Sequence, residues 1–451
     1  MRSMDQNAIR DARALGVPKM LLLGLQHMFA MFGATILVPI IVSSQYGLPL
    51  SIQTTLFFAG VGTLFFHLCS KLKVPAFLGS SFAFLGGFET ISKLPAYEGL
   101  AAAEKLQYAC GGIVIAGLLY LVLALLVKVV GVHKVMRYLP PVVTGPIIVC
   151  IGLNLAPSAV SNASTNWLLA LIALGVIIVF NIWGKGMLKI IPILLGVIIS
   201  YAAALIMNAM GMTNVDGSAI LNTAAIAQAG WLGLPPFQLA KFDLSAILVM
   251  APIAIAAMME HIGDMSAISA TVGEKFIEDP GLHRTLVGDG LATALSGLFG
   301  GPANTTYGEN TGVLVLSRVY DPRVIRLAAL YAVVLGFIPK MAEVIGTMPS
   351  AIVGGVSFML YGMISAIGVR NIVENKVDFT NSRNLIIAAV ILVCGLGFSG
   401  GLTFQVGGAS LTLTGLAIAA LAGILLNAVL PGNDYEFGKD DGHNSGSLGK
   451  Y

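Results

Sequence analysis

Apolar residues gather in long runs along this chain, and the polar residues are pushed into short intervals between them. The runs fall near 20–43, 50–70, 74–92, 107–132, 138–158, 166–183, 187–211, 244–270, 285–301, 303–317, 324–345, 349–369, 383–399 and 410–430. A helix needs ~20 apolar residues to cross a bilayer, and most of these runs reach that length. The third and tenth differ, because they are polar and broken by Gly and Pro. The tenth lies within Gly300–Ser317, GGPANTTYGENTGVLVLS, and sets Asn304, Thr305, Thr306, Tyr307, Glu309 and Asn310 among apolar neighbours. Gly-Gly-Pro cannot open a smooth helix. Irregular backbone at bilayer depth is tolerated only where it lines a cavity inside the protein. The pattern therefore predicts a broken membrane segment that builds a binding site.

The order of the runs suggests a duplication. The longest polar interval, 212–243, divides fourteen runs into seven and seven, and the broken run is third in each half. Both broken runs open on Pro-Ala, as Pro75-Ala76 and Pro302-Ala303. The fifth run of each half carries Pro with Gly five residues on, as Pro140 and Gly145 and as Pro349 and Gly354. The first runs carry Gln26-His27 and Glu260-His261. Seven is odd, so the second half would enter the membrane from the opposite side. Paired broken segments in inverted halves point to the midplane site of a secondary transporter. The expected fold is an all-α polytopic membrane protein with fourteen transmembrane segments in two inverted repeats.

Charge supports that count. With the first residues in the cytoplasm, 21 of the 25 Lys and Arg residues fall inside, and only Lys93, Lys105, Lys241 and Lys340 fall outside. This is the positive-inside bias, and one missed or invented segment would scramble it. Both termini are then cytoplasmic. Composition agrees: 57% of residues are hydrophobic and 10% charged, with mean hydropathy +0.88, against ~25% charged in a soluble domain. Residues 1–19 are charged and lack the apolar core of a signal peptide. The polar tail after Pro431 reads as disordered. Cys69, Cys110, Cys150 and Cys394 lie in or beside apolar runs without CxxC spacing, and read as small core hydrophobes.

The candidate chemistry is carboxylate chemistry. Glu260 and Asp264 are four residues apart, so they share a helix face. Acids at bilayer depth are functional-site hypotheses by default; the plain alternative is satisfaction by hydroxyls or backbone within the bundle. Glu309 is the third acid, where a short half-helix can begin and offer free N–H groups. Gly79-Ser80-Ser81-Phe82 holds the matching place in the first half and offers hydroxyls and N–H groups, and Phe82 or Tyr307 supplies an aromatic face. Transition-metal spacings such as HxxxH are absent, a Na⁺ or Ca²⁺ site is only weakly signalled, and an inorganic anion would be repelled by Glu260 and Glu309. A neutral planar heterocycle with N–H donors and C=O acceptors fits best.

The runs LQHMFAMFGATILVP, GSSFAF, EHIGD and TTYGENTG resemble the nucleobase–ascorbate transporter family over nearly the whole chain. TTYGEN is the most specific of them and is similar to the uracil branch, since the xanthine and urate branch usually has Gln-Asn in place of Glu309-Asn310. The resemblance implies a core domain (20–132 and 244–345) and a gate domain (133–211 and 346–431); by its own composition, with Trp231, Pro235 and Pro236, loop 212–243 is expected to pack as an extracellular cap, and 432–451 to be a disordered tail. The resemblance also implies antiparallel strands in the third and tenth segments, and uracil entering with protons. Glu260 and Glu309 would accept the ring N–H groups, and backbone N–H groups of Phe82 and Gly308 would hold the carbonyls. Phe82 and Tyr307 would wall the ring, with Ser81 beside it and Tyr361 closing it from the gate side. Gln26, His27 and Asn310 would support the site. One departure keeps a purine permease open as an alternative: the uracil branch often carries His four residues after the first Glu, and here that position is Asp264.

On this reading Glu260, Asp264 and Glu309 share protons and titrate as a group, so proton and substrate bind reciprocally. No cofactor is expected beyond the coupling proton. The expected partners are a nucleobase, membrane lipid and a second copy of the chain through the gate domain, with no nucleic acid; the location is the cell membrane. Three rivals stand beside the purine alternative. A sulfate-carrier-like anion transporter usually has a regulatory domain after the last span, for which the tail is too short. A membrane enzyme would need a nucleophile–base pair or a motif such as HExxH, and neither occurs. A passive channel would ignore the proton gradient.

Overall fold

The computed structural model describes residues 8–398, 400–406 and 409–432. Most of the predicted tail, and the first residues of the chain, lie outside that set. Counting helices of at least seven residues, the first half of the chain forms α1 (Val17–Ser44), α2 (Ile52–Cys69), strand β1 (Leu78–Ser80), α3 (Leu85–Ser92), α4 (Ala102–Val130), α5 (Pro141–Asn154), α6 (Ala156–Ala163), α7 (Trp167–Trp183) and α8 (Pro192–Ala209). The second half forms α9 (Leu244–Met250), α10 (Ile253–Val272), α11 (Leu282–Leu298), β2 (Asn304–Thr306), α12 (Gly308–Ser317), α13 (Pro322–Gly336), α14 (Pro339–Gly346), α15 (Ser350–Glu374) and α16 (Ser382–Gly397). A hairpin, β3 (Leu402–Val406) with β4 (Ala409–Leu413), and α17 (Gly415–Val429) complete it.

Among the described residues seven helices are long and apolar enough to cross a membrane, or eight if the bent pair α13–α14 counts as one span. The chain is a mostly helical, multi-pass membrane protein. Proline explains where predicted runs break. Pro252 separates α9 from α10, and Pro339 follows a turn of 85° between α13 and α14, since proline has no N–H for the helix ladder. The interval 212–243 is largely irregular, and Phe237 anchors it. Its ring meets Phe57 at 5.2 Å and Phe58 at 5.8 Å on α2, and Phe299 just past α11 at 6.4 Å. The loop thus caps one end of the helices that flank the strands.

The two broken segments meet at the centre. β1 and β2 pair antiparallel, with Leu78 opposite Thr306, Gly79 opposite Thr305 and Ser80 opposite Asn304. Two flanking bonds extend the ladder, Ser81 N–H to Ala303 O at 2.8 Å and Tyr307 N–H to Phe77 O at 3.0 Å. Each strand is clamped at its first residue by a threonine on the preceding long helix. The Thr63 hydroxyl on α2 accepts from Leu78 N–H at 2.8 Å, donates to Ala59 O at 2.7 Å and lies 3.2 Å from Leu78 O. The Thr293 hydroxyl on α11 accepts from Asn304 N–H at 3.1 Å and donates to Asn304 O at 3.1 Å. Such short strands would otherwise leave polar backbone unsatisfied away from water, at roughly several kcal/mol per group.

Candidate functional site

Each strand runs directly into a helix start. After β1 comes a 3₁₀ turn, Phe82–Phe84, leading into α3; after β2 comes α12 at Gly308. Neither Ser81 nor Tyr307, the residues before these starts, makes a side-chain cap bond. The first N–H groups of a helix have no acceptor within it, so the segments present backbone donors beside the strand pair. α10 brings the acids to the same place. Thr306 on β2 donates to Asp264 Oδ2 at 2.7 Å, and a Cβ added at Gly308 would lie 3.8 Å from Asp264 Oδ1. Glu260 sits one turn earlier on α10, with Oε2 buried and without a hydrogen-bond partner among the described residues. The carboxyls of Glu260, Asp264 and Glu309 lie close enough to repel one another.

The aromatic side chains divide into two settings. Phe82 and Tyr361 meet edge to face at 5.9 Å, which joins β1's turn to α15. Tyr307 turns into the packing between α1 and β1. Its hydroxyl donates to Ser80 O at 2.9 Å and lies 3.2 Å from Ser80 Oγ and 3.4 Å from Thr35 Oγ1. Its ring lies over Gly79, where a Cβ would fall 2.3 Å from ring carbons. Only glycine fits there. Gly79→Ala will lower stability by ~1–3 kcal/mol, the usual cost of overpacking a filled interior. Thermal melting in detergent checks this, and an unchanged midpoint would mean that the ring is free to move aside.

Of the supporting residues, Gln26 and His27 lie on α1 and Asn310 on α12. Asn310 Nδ2 donates to His27 O at 3.0 Å and lies 3.3 Å from His27 Nδ1, which ties α1 to α12. Gln26 is half-buried on the same turn. Asn310 Oδ1, His27 Nε2 and Ser81 Oγ are buried and lack partners among the described residues. Glu309 is half-buried and faces a cavity of about 240 Å³, whose lining includes Phe29, Gly312 and Met363, with Asn181 and Lys189 as further polar members.

Two neighbours of the site were given no role by the sequence. Asp289 on α11 is fully buried, and its Oδ2 lies 2.9 Å from His261 Nδ1. The other ring nitrogen, His261 Nε2, lies 3.1 Å from Thr285 Oγ1. Asp289 thus joins the buried acids behind Glu260. It could have been found by the rule that picked out Glu260, since it is an acid inside a spanning run. Thr306 is the second, and only the strand register reveals that it meets Asp264. Among the described residues no group of three His, Cys, Asp or Glu side chains is placed to hold a metal ion.

Comparison with known proteins bears on this geometry. A permease-family model matches residues 18–403. A uracil permease of Bacillus caldolyticus is 40% identical over 439 residues, covering 94% of each chain. A uracil permease of Bacillus subtilis is 41% identical over 426 residues, covering 90% of this chain and 91% of its own. Among solved structures, the transmembrane domain of the cyanobacterial bicarbonate transporter BicA superposes with TM-score 0.64 at 18% identity, covering 92% of this chain and 99% of its own. SLC26A9 gives TM-score 0.64 at 11% identity, covering 93% and 65%. At those identities the likeness is one of fold.

Proposed function

The chain belongs to the nucleobase–ascorbate transporter family of permeases, and from that premise we propose that it carries uracil across the cell membrane together with protons, by alternating access. It is a transporter, as its relatives are permeases. The observation that carries the substrate reading is the pairing, at one place, of acids with uncapped helix starts. Uracil is a flat neutral ring with two N–H donors and two carbonyl acceptors. Glu260 and Glu309 accept from the N–H groups, and the backbone N–H groups of Phe82 and Gly308 donate to the carbonyls. Phe82 and Tyr361 close the ring's edges, and Ser81 offers a further hydroxyl. Tyr307 acts at one remove, holding β1 through Ser80, and Gln26, His27 and Asn310 hold α12 in place.

Alternating access follows from the same parts. The matching threonine clamps on two antiparallel strands support a reading of fourteen segments in two inverted halves, with a core domain (20–132 and 244–345) rocking against a gate domain (133–211 and 346–431) that also forms the homodimer contact. With both termini cytoplasmic, a carboxyl of the Glu260, Asp264 and Glu309 group takes a proton from the outer side. The loaded site then moves inward without carrying a bare charge, and losing the proton inside lowers the affinity for uracil. Occupying the site with an apolar-faced ring also excludes water, which strengthens the carboxylate bonds.

A panel of nucleobases tested by thermal shift on the purified protein at two pH values checks the proposal. A ligand at about 100 times its Kd stabilises the folded state by ~2.7 kcal/mol. Uracil should raise the melting temperature, by an amount that changes with pH. A shift with xanthine but not uracil would favour the purine reading that Asp264 keeps open. Equal shifts at both pH values would remove the proton from the binding step.

A further inference from the structure

The segment before α1 makes more specific contacts than a loose tail needs. Ile9 joins the chain just after α12, with its N–H bonded to Arg318 O at 2.9 Å and its carbonyl accepting from Tyr320 N–H at 2.9 Å. The Arg10 guanidinium reaches the end of α10, where it donates to Val272 O at 3.0 Å and pairs with Glu274. Asp11 meets Arg323 at 3.0 Å, and Ala12 N–H donates to Asp321 Oδ2 at 2.7 Å. Below these bonds Ala12, Val319 and Val324 form a small apolar cluster of their own, joined by Ile9, Leu15, Met20 and Leu23. Residues 9–12 therefore touch the ends of α10 and α12 together.

Those two helices carry the site. α10 holds Glu260 and Asp264, and α12 begins with Gly308 and Glu309. At one level α10 is already tied to β2, the strand that leads into α12, through Thr306 and Asp264. At 1.5 Å rise per residue, Val272 lies about 12 Å further along α10 than Asp264. The N-terminal contacts thus pin the same pair of helices a second time, at the far end of α12, a helix of only ten residues.

We propose that residues 9–12 form a strap that fixes the angle between α10 and α12, and that Ile9, Arg10 and Asp11 are positioning residues for transport. They touch no substrate. They hold Glu309 at its working distance from Glu260 and Asp264 and stop α12 from swinging about its short strand. The strap remains charged across the pH range of uptake assays: the Arg13 guanidinium hydrogen-bonded to Asp11 holds that carboxyl at about 2. The proposal rests on the uracil reading above, and the two fail separately.

The test is a charge swap in the full-length chain in proteoliposomes, comparing wild type, Arg10→Glu, Glu274→Arg and the double variant. Arg10→Lys and Ile9→Pro, which removes the N–H that bonds Arg318, serve as further variants. Arg10→Glu should raise the uracil KM about fivefold, as expected for the loss of roughly 1 kcal/mol of positioning, with less than about twofold change in maximal rate. Arg10→Lys should keep most of the wild-type KM, and the double variant should return to within about twofold of it. A purely structural role would lower the melting temperature and the amount of active protein without moving KM. The strap is refuted if Arg10→Glu and Ile9→Pro both keep the wild-type KM, or if the double variant is no better than Arg10→Glu alone. Wild-type protein that carries no uracil would instead refute the substrate reading.

Discussion

Glu309→Ala will weaken uracil binding by about 10- to 150-fold, the equivalent of ~1.5–3 kcal/mol for a lost hydrogen bond to a charged acceptor. The expectation follows from position. Glu309 is in the first turn of α12, beside the Gly308 N–H that would hold a carbonyl, and within electrostatic range of the Glu260 and Asp264 carboxyls. In the proposed pose, removing the carboxylate would leave one ring N–H of uracil without an acceptor. Glu309→Gln keeps a carbonyl oxygen at nearly the same point and should lose less. Equilibrium binding of labelled uracil in detergent measures both. An unchanged Kd in the alanine variant would place Glu309 outside the contact set and leave Glu260 as the sole acidic acceptor.

Glu260→Gln will separate binding from driving force. The amide has the same shape and still accepts a hydrogen bond, but it cannot carry a proton. An inward proton gradient should then no longer concentrate uracil, while uracil-for-uracil exchange continues at a reduced rate. A coupled ligand pair changes affinity by about 5- to 150-fold, and this variant should lose that dependence on pH. Uptake by proteoliposomes with and without a pH gradient decides the matter. Full gradient-driven uptake by the variant would move proton coupling to Asp264, Glu309 or the buried Asp289.

Much of the site was legible because membranes make polar residues conspicuous. Glu260, Asp264 and Glu309 stand out in apolar runs, and the prolines Pro75 and Pro302 follow the ends of α2 and α11. The strands in the two broken runs were expected from the family resemblance alone, since the pattern itself showed only that the helices break there. Other features left no periodic trace. Tyr307 lies inside the site motif, yet its ring is committed to Gly79 and its hydroxyl to Ser80, which only the strand register determines. Asp289 was open to the rule that found Glu260, but Gly288 and Gly290 on either side, which let α11 lie against α2 and α4, give that run the look of close packing. The contacts of Ile9 and Arg10 join residues more than 250 positions apart, beyond the reach of any local pattern. The 85° turn at α13–α14 was masked because 324–345 reads as one apolar run until Pro339 is weighed.

The pairing of β1 with β2 also governs how the molecule is made. Ser80 and Tyr307 are 227 residues apart, so β1 leaves the ribosome long before β2 exists. The first half must wait in the lipid with its ladder unfilled, and its waiting time is set by translation. At roughly 5–20 residues per second that delay is about 10–45 s. During it, Thr63 is the one hydroxyl clamp on hand to shield Leu78. A quality-control protease that samples the nascent chain in that interval would meet an open strand edge, and the finished permease would be beyond its reach.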